Sequence, residues 1–461
     1  MQKKIYKKNI IVCLYLFYYI HTIAFCQPET ITKEQHGCTT FSLTDNDLFI
    51  FGRSLDTDID TGYLFINKKD MDKTAYFNSE STEEPATWTS QYGSITLNQI
   101  SREIPHGGMN ECGLVIEHMY LANSDFPDPD SRPAVISHQW IQYMLDNCST
   151  VSEVIGSDTL IRISDTDYKF PVHFHIMDST GNRAIIEYLN GNFTVYNDGS
   201  YTACALTNNT YSYLLNYISD FTGWGGSNPI PVNATGSPDR FVKAADMVKN
   251  YPGNDIIQII QYGFTILDSV RANTQWQIIY DPGNLQIYYR TLSDTAIKTL
   301  NINDFDYSCT NDIECISVNA NPAIPANWNV FSTPLNTTLI NTLCSLSGFV
   351  NSILGSEKDE IAVYPENNTE CATTLICKNE LNGNIRVFPN PFNNYLTLKG
   401  GLLYGDIFME IIDLNGRTVY YKKCKNTNGS IILNDLDLKG TFLIKIEKPS
   451  GKYSVKRIIC K

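Results

Sequence analysis

Charged residues are scarce in this 461-residue chain: Asp, Glu, Lys and Arg make up 18%, against 43% hydrophobic residues. So little charge, with 28 Tyr and 21 Phe, excludes a disordered protein, because such a chain has ample apolar surface to bury. Long Ala/Glu/Lys/Leu runs are missing too, and 19 Pro and 28 Gly favour strands and turns over long helices. Positive charge is in deficit, 35 Lys and Arg against 49 Asp and Glu. It gathers at the two ends, so residues 38–384 are strongly acidic and would repel a nucleic acid. No CxxC or Cys/His spacing suggests zinc. GWGGSNP (223–229) lacks the Lys-Ser/Thr of a phosphate loop and reads as a rim over a substrate pocket. DTDIDTG (56–62) has the acidic spacing of a calcium loop, but Thr61 stands where glycine is needed and Asn67 where the bidentate Glu is needed. His173 and His175 alternate on one strand face as ordinary strand residues, with metal ligation the lesser alternative. No cofactor is called for, and no repeat of 20–50 residues is present.

What is present begins with a leader. Lys3, Lys4, Lys7 and Lys8 precede an apolar stretch from Ile10 to Cys26, the pattern of a signal peptide over residues 1–26, with small Ala24 and Cys26 before a cut at Gln27. Seventeen residues are at the short limit for an uncleaved anchor, and bulky Phe25 argues against a lipoprotein reading of Cys26. Export puts the remaining eleven cysteines in an oxidising compartment, where they can pair. Their odd number leaves at least one thiol free.

The main body alternates short strands with turns. VHFHIMD, RAIIEYL and FTVYND follow one another across STGN and NGN, and WQIIY-DPGN-LQIYYRT reads as a hairpin. Helices are expected over Ala134–Asn147, from Thr150 with a capping box to Glu153, and from Ser237 with Pro238 in the first turn and an apolar stripe of Phe241, Val242, Ala245 and Val248. Near residue 371 the texture becomes a polar connector, 371–384. Residues 385–461 then carry about seven short β runs and 13 Lys/Arg against 6 Asp/Glu, the pattern of a small β-sandwich.

The motifs VFPNPFNNYLTLKG, IIDLNGRTVY, LKGTFLIKI and KYSVKRIICK make that last segment similar to the C-terminal sorting domain of the Bacteroidota type IX secretion system. The resemblance implies type IX machinery as a partner and a secreted or cell-surface location; an adhesion or carbohydrate-binding sandwich is the alternative. In the main body, QHGCTTFSLTDNDLFIFGRSLD, GGMNECGLVIEHMYL, ALTNNT, SPDRFVKAA and TQWQIIYDPGNLQIYYRT occur in this order. Together they resemble the choloylglycine hydrolase and penicillin V acylase family of N-terminal-nucleophile amidases. The resemblance implies an α+β fold, a four-layer αββα sandwich over residues 38–370, followed by the small all-β domain. Carried residue by residue, it makes Cys38 the nucleophile, places Arg53 and Asp56 at a strand end and Arg240 at a helix start, makes Asn208 the oxyanion amide, and puts Tyr120 where bile-salt hydrolases tend to have Asn.

The chemistry stands beside the resemblance. Cleaving an amide needs a nucleophile, a base for its proton and donors for the tetrahedral oxyanion. A cysteine at a chain terminus supplies the first two, its free α-amine having a reference pKa of about 7.7–8.0. Arg53 would favour the thiolate and Asp56 would hold the ammonium. The Asn208 side-chain N–H and the Tyr120 backbone N–H would bind the oxyanion. This requires loss of a propeptide, residues 27–37, and Gly37 lacks a side chain that would obstruct attack by Cys38. The expected substrate is a small-molecule N-acyl amide, with bile-salt hydrolysis, acyl transfer and an inactive binding or adhesion protein left open. A homo-oligomer is compatible with the sequence.

Overall fold

The structure, a computed structural model, describes residues 37–372 except 167 and 254, and residues 386–460 except 391, 401–402, 414–416, 428, 435, 437 and 450–452. The leader, the proposed propeptide up to residue 36 and most of the connector lie outside the described residues. The chain divides into two compact units between Ala372 and Thr373.

In the first unit two antiparallel sheets lie face to face. One has six strands, Ala205–Leu206, β1 (Gly37–Asp45), β2 (Leu48–Asp56), Thr274–Asp281, Gln286–Thr291 and Lys298–Asn301, in that spatial order. The other has nine, running from Asn192–Asn197 through Arg183–Leu189, Val172–Met177, Val115–Tyr120, Gly107–Asn110, Ser94–Asn98 and Tyr63–Asn67 to Glu314–Ser317 and Asn329–Val330. The expected hairpins therefore form.

Two-residue alternation decides what each strand gives to each layer. On Val115–Tyr120, Val115 and Met119 join the core between the sheets, whereas Ile116 joins the outer core under α1 (Ser137–Asn147) and α2 (Val151–Gly156). On β1, Phe41 and Leu43 pack with α3 (Tyr211–Ile218), α4 (Ser237–Lys249) and α5 (Ile256–Ser269). The result is the αββα order of layers.

Local chemistry explains the helix boundaries. Thr150 caps α2, its side chain accepting from Glu153 N–H while the Glu153 carboxylate accepts from Thr150 N–H, which is the capping box read from sequence. On α4, Phe241, Val242 and Ala245 are buried and Val248 is half-buried. The helix expected from Ala134 starts three residues later. Ala134 N–H donates to Glu84 O at 2.8 Å and its carbonyl accepts from Ala86 N–H at 2.9 Å, so a parallel bridge to Pro85 has already taken these groups, while the Pro133 and Val135 carbonyls accept from Arg162 and Ser164.

After the nine-stranded sheet come α6 (Thr333–Leu346), α7 (Gly348–Leu354) and α8 (Lys358–Asn367). The chain then adds Thr369–Cys371 beside Met71–Thr74, and Cys371 forms a disulfide with Cys309. Cys38, Cys112, Cys148, Cys204, Cys315, Cys344 and Cys424 are free thiols. No described helix is long and apolar enough to cross a membrane.

The second unit is all β. Three strands (Arg386–Phe388, Leu396–Lys399, Ser430–Leu433) and four (Thr418–Asn426, Gly405–Asp413, Gly440–Glu447, Tyr453–Cys460) form two sheets. They share one core, in which Leu396, Leu398 and Leu433 meet Met409, Ile411 and Ile444.

Candidate active site

β1 and β2 are paired along their full length, with Cys38 opposite Leu55, Thr40 opposite Arg53 and Gly37 opposite Asp56. Residues opposite each other share a face, so Cys38 and Arg53 project between the sheets, while Gly37 and Asp56 face the helix layer and Arg240 of α4. The end of β2 thereby brings Arg53 and Asp56 to Cys38, and α4 adds Arg240.

Arg53 is 1% exposed and reaches across to the other sheet. Its Nε lies 3.4 Å from Glu117, one Nη donates to His118 O, and the other is buried without a hydrogen-bond partner. Glu117 also accepts from Tyr280 Oη at 2.6 Å; burial raises its carboxyl to about 7 against the pull of Arg53 and Tyr280. A β-carbon at Gly107 would lie 2.2 Å from the Glu117 carboxylate, so the first glycine of GGMNECG is there to make room for this acid. Glu117 itself escaped the sequence analysis, since nothing in GLVIEHMYL marks one acid in an apolar strand as the partner of an arginine 64 positions earlier.

Asn208 sits at the centre of the remaining contacts. Its Oδ1 accepts from Cys38 N–H at 2.8 Å and from Arg240 at 2.8 Å, and its Nδ2 donates to Tyr120 O at 2.9 Å. Arg240 also donates to Thr39 Oγ1 at 3.2 Å and Thr235 O at 2.6 Å. Asn208 is held by its neighbours: its own N–H donates to Ser237 Oγ, and Thr207 O accepts from His173 Nε2 at 2.7 Å. The other nitrogen of His173 meets Glu187, and His175 bridges Thr40 and Tyr201. Both histidines are thus hydrogen-bonded interior residues of the strand. The Tyr120 backbone N–H faces away from the neighbouring strand, because Leu121 N–H makes the ladder bond to Pro171 O and alternate residues of an antiparallel pair point opposite ways.

Burial is the largest influence on the Cys38 thiol and pushes it up; Arg53 and Arg240 pull it down, and the Asp56 backbone N–H donates to it. The expected favouring of the thiolate by Arg53 therefore acts, but burial outweighs it while Gly37 remains attached. Asp56 is raised to about 6, burial again prevailing over Arg240, the Thr274 hydroxyl and Arg53. Its Oδ1 accepts from Thr274 at 2.5 Å, while its Oδ2 is buried without a partner.

Cys38 opens into a pocket of about 600 Å³, counted with its mouth. Leu55, Ile59 and Ile100 form an apolar floor, and Tyr120 and Phe170 one wall. Leu343, Ser347, Phe349 and Val350 complete the lining, from a stretch in which the sequence showed no site. Residues 223–229, expected at the rim, are not among the lining residues. They are held against α4 instead, with Lys249 over the Trp224 ring.

His106 and His118 also line the pocket, and with His138 they form a buried trio whose ring nitrogens lie within 4.8 Å of one another. His118 Nδ1 donates to His106 O at 2.7 Å, and His138 Nδ1 meets Tyr168 Oη at 3.2 Å. Three neutral imidazoles are a donor set that zinc accepts. Burial, with the charge of Arg53, holds all three neutral, His138 down to about 3, while the same arginine charge opposes a divalent cation. The three come from separate segments, and no spacing announces them.

Comparison with known proteins agrees with this geometry. Residues 38–315 match the family of linear amide C-N hydrolases, choloylglycine hydrolase family, and residues 386–461 match a secretion system C-terminal sorting domain. The chain is 25% identical to a penicillin V acylase of Pectobacterium atrosepticum over 317 residues, covering 59% of this chain and 82% of that protein. The fold is similar to a penicillin V acylase from Agrobacterium tumefaciens (TM-score 0.54, 23% identity, 64% of this chain and 98% of that one). It is also similar to a conjugated bile acid hydrolase variant from Clostridium perfringens (TM-score 0.50, 18% identity, 62% and 99%). A matched segment that starts on Cys38 and spans both sheets places this chain in the choloylglycine hydrolase family of linear amide C-N hydrolases.

Proposed function

We propose that the protein is an exported cysteine amidohydrolase that cleaves an N-acyl amide of the penicillin V acylase type through an acyl-enzyme on Cys38. The observation that carries this reading is the setting of the Cys38 backbone nitrogen, beside Asn208 and one residue from the Asp56 and Arg240 pair. After residues 27–37 are lost, that nitrogen becomes a free amine. It takes the proton of its own thiol, and Asp56, whose Oδ2 has no other partner, accepts from the resulting ammonium.

The thiolate attacks the substrate carbonyl, and the charge moves to the carbonyl oxygen. The second hydrogen of Asn208 Nδ2 and the Tyr120 backbone N–H bind that oxyanion. Collapse breaks the C–N bond; the leaving amine takes the proton from the ammonium, and a thioester remains. Water, giving its proton to the same amine, then attacks the thioester and releases the acid and the free thiol. Arg53, with one buried Nη unpaired, supplies positive charge beside the sulfur. Cys38 also liberates itself: its thiol attacks the Gly37 carbonyl, the Gly37–Cys38 C–N bond breaks as the acyl group passes from nitrogen to sulfur and the thiol proton to the freed amine, and water then hydrolyses the thioester to release residues 27–37.

The leader 1–26 directs the chain across the inner membrane and residues 386–461 address it to the outer one. Because Tyr120 and Phe349 narrow the pocket, aryl or medium aliphatic acyl groups suit it better than a rigid steroid. The experiment is N-terminal mass analysis of the secreted enzyme, with kcat/KM for penicillin V, an N-acyl homoserine lactone and glycocholate. A Cys38 terminus and preference for either of the first two amides are expected. A fully active enzyme beginning at Gln27 ends the mechanism, and a preference for glycocholate overturns the substrate reading.

A further inference from the structure

The pocket wall facing Tyr120 belongs to a part of the chain outside the matched family segment, which stops at residue 315. It is built by α6 and α7. Phe349, the second residue of α7, meets Tyr120 edge-on with ring centroids 6.1 Å apart and Phe170 likewise at 5.7 Å. Tyr120 and Phe170 themselves meet edge-on at 6.4 Å, so the three rings form one aromatic corner of the pocket that opens from Cys38.

The flanking helices hold this wall in place. Asn336 of α6, fully buried, donates to Ser101 Oγ at 2.7 Å and to Ala362 O at 2.8 Å, and accepts from Arg102 N–H at 3.2 Å. Arg102 reaches on to Pro365 O at 2.9 Å, and Tyr364 Oη donates to Thr74 O at 2.6 Å. The Cys309–Cys371 disulfide closes the segment covalently. Between these anchors α7 is a seven-residue helix whose Gly348, Asn351 and Ser352 are exposed while Phe349 and Val350 are half-buried over the pocket.

We infer that Phe349 is a specificity-determining residue: it sets the width of the acyl group that can lie against Tyr120, admitting flat aryl and unbranched acyl groups and excluding fused rings. This deepens, and rests on, the N-acyl amidase reading. An edge-on pair of rings leaves a slot that a third flat ring or an extended chain can share. A fused-ring acyl group would have to displace Phe349 from both partners, and fixed helices on either side resist that.

The test separates binding of the acyl part from turnover. Phe349→Ala and Phe349→Trp change a half-exposed side chain, and thermal unfolding checks that both variants fold. Calorimetry then measures binding of the free acids phenoxyacetate, hexanoate and cholate to the wild type and both variants, beside kcat/KM for the matching amides. Phe349→Ala should raise cholate affinity relative to phenoxyacetate by about tenfold or more, the effect of a few methylene-sized volumes in an apolar pocket; Phe349→Trp should shift the ratio the other way. Acid-binding ratios unchanged in both variants overturn the inference, even if the amides are still cleaved. Ratios that shift as stated while no amide is cleaved uphold the wall and sink the amidase reading.

Discussion

The backbone nitrogen of Cys38 donates to Asn208 Oδ1 at 2.8 Å, and the Nδ2 of the same amide donates to Tyr120 O at 2.9 Å. One side chain thus ties the start of β1 to the end of a strand in the opposite sheet. Its amide plane is fixed from both ends, with a second Nδ2 hydrogen left for a substrate.

Replacing Asn208 by Ala removes the proposed oxyanion donor together with that tie. The expected outcome is a fall in kcat of about 10²–10³-fold. Asn208→Asp should not restore the rate, because it offers Tyr120 O an acceptor in place of a donor. Steady-state kinetics on penicillin V, with mass analysis to confirm that the N-terminus is processed, gives the readout; near-normal kcat in processed Asn208→Ala would remove it from the mechanism.

Gly37 packs where a side chain has no room. A β-carbon there would stand 3.0 Å from Arg240 Nη2 and from Asp56 Oδ2, closer than nearly all ordinary contacts of such a carbon. Gly37→Val should slow loss of residues 27–37 by an order of magnitude or more, while enzyme that has completed processing has wild-type kcat. Cys38→Ala should retain the segment altogether. Time-resolved intact-mass measurement follows both, and normal trimming of Cys38→Ala would assign the cut to an external protease.

Asp56 binds its proton more tightly in the folded chain than in the unfolded one, at about 6 against an ordinary 3.8. Its contribution to stability is therefore full below about pH 4 and is lost as pH rises to about 6. In the Cys38→Ala background, where Gly37 stays attached, Asp56→Asn should gain up to about 3 kcal/mol relative to its parent across that window and hold the gain above it. Urea unfolding at pH 4, 5, 6 and 7 measures this. A gain independent of pH would mean that Asp56 is ionised throughout.

The disulfide spans 62 residues, for which the chain-entropy model gives a stabilisation of about 4 kcal/mol. The double variant Cys309→Ser/Cys371→Ser should unfold at a lower temperature and lose discrimination between phenoxyacetate and cholate, because the segment carrying Phe349 is released at one end. Calorimetry reports both effects. An unaltered unfolding temperature would leave the hydrogen bonds around Arg102 and Asn336 as the anchors of that segment.

The sheets and the second unit were legible because strand alternation and turn residues are local signals: RAIIEYL and FTVYND pair as read. The residues around Cys38 were legible only through ordered motifs, since Cys38, Asn208 and Arg240 are 170 and 202 positions apart in sequence. What stayed hidden is long-range and motif-free. Glu117 is one acid in an apolar strand, the three histidines of the buried trio come from three segments, and Phe349 sits in a helix without a site-like pattern. The Gly-rich stretch at 223–229 misled for the opposite reason: its composition marks a turn, and composition does not say which surface a turn lies on.

Cys371 opens the connector, and its partner lies upstream of α6, α7 and α8. A cut anywhere in 373–385 creates a new carboxyl end only a few residues from a covalent staple. An exopeptidase working inward from that end meets the disulfide before it reaches the helices that wall the pocket, and fraying of the new terminus stops at the same point. Were the chain cut in the connector, the disulfide would stand between the new end and the helices that wall the pocket, so loss of the second unit would leave that wall anchored.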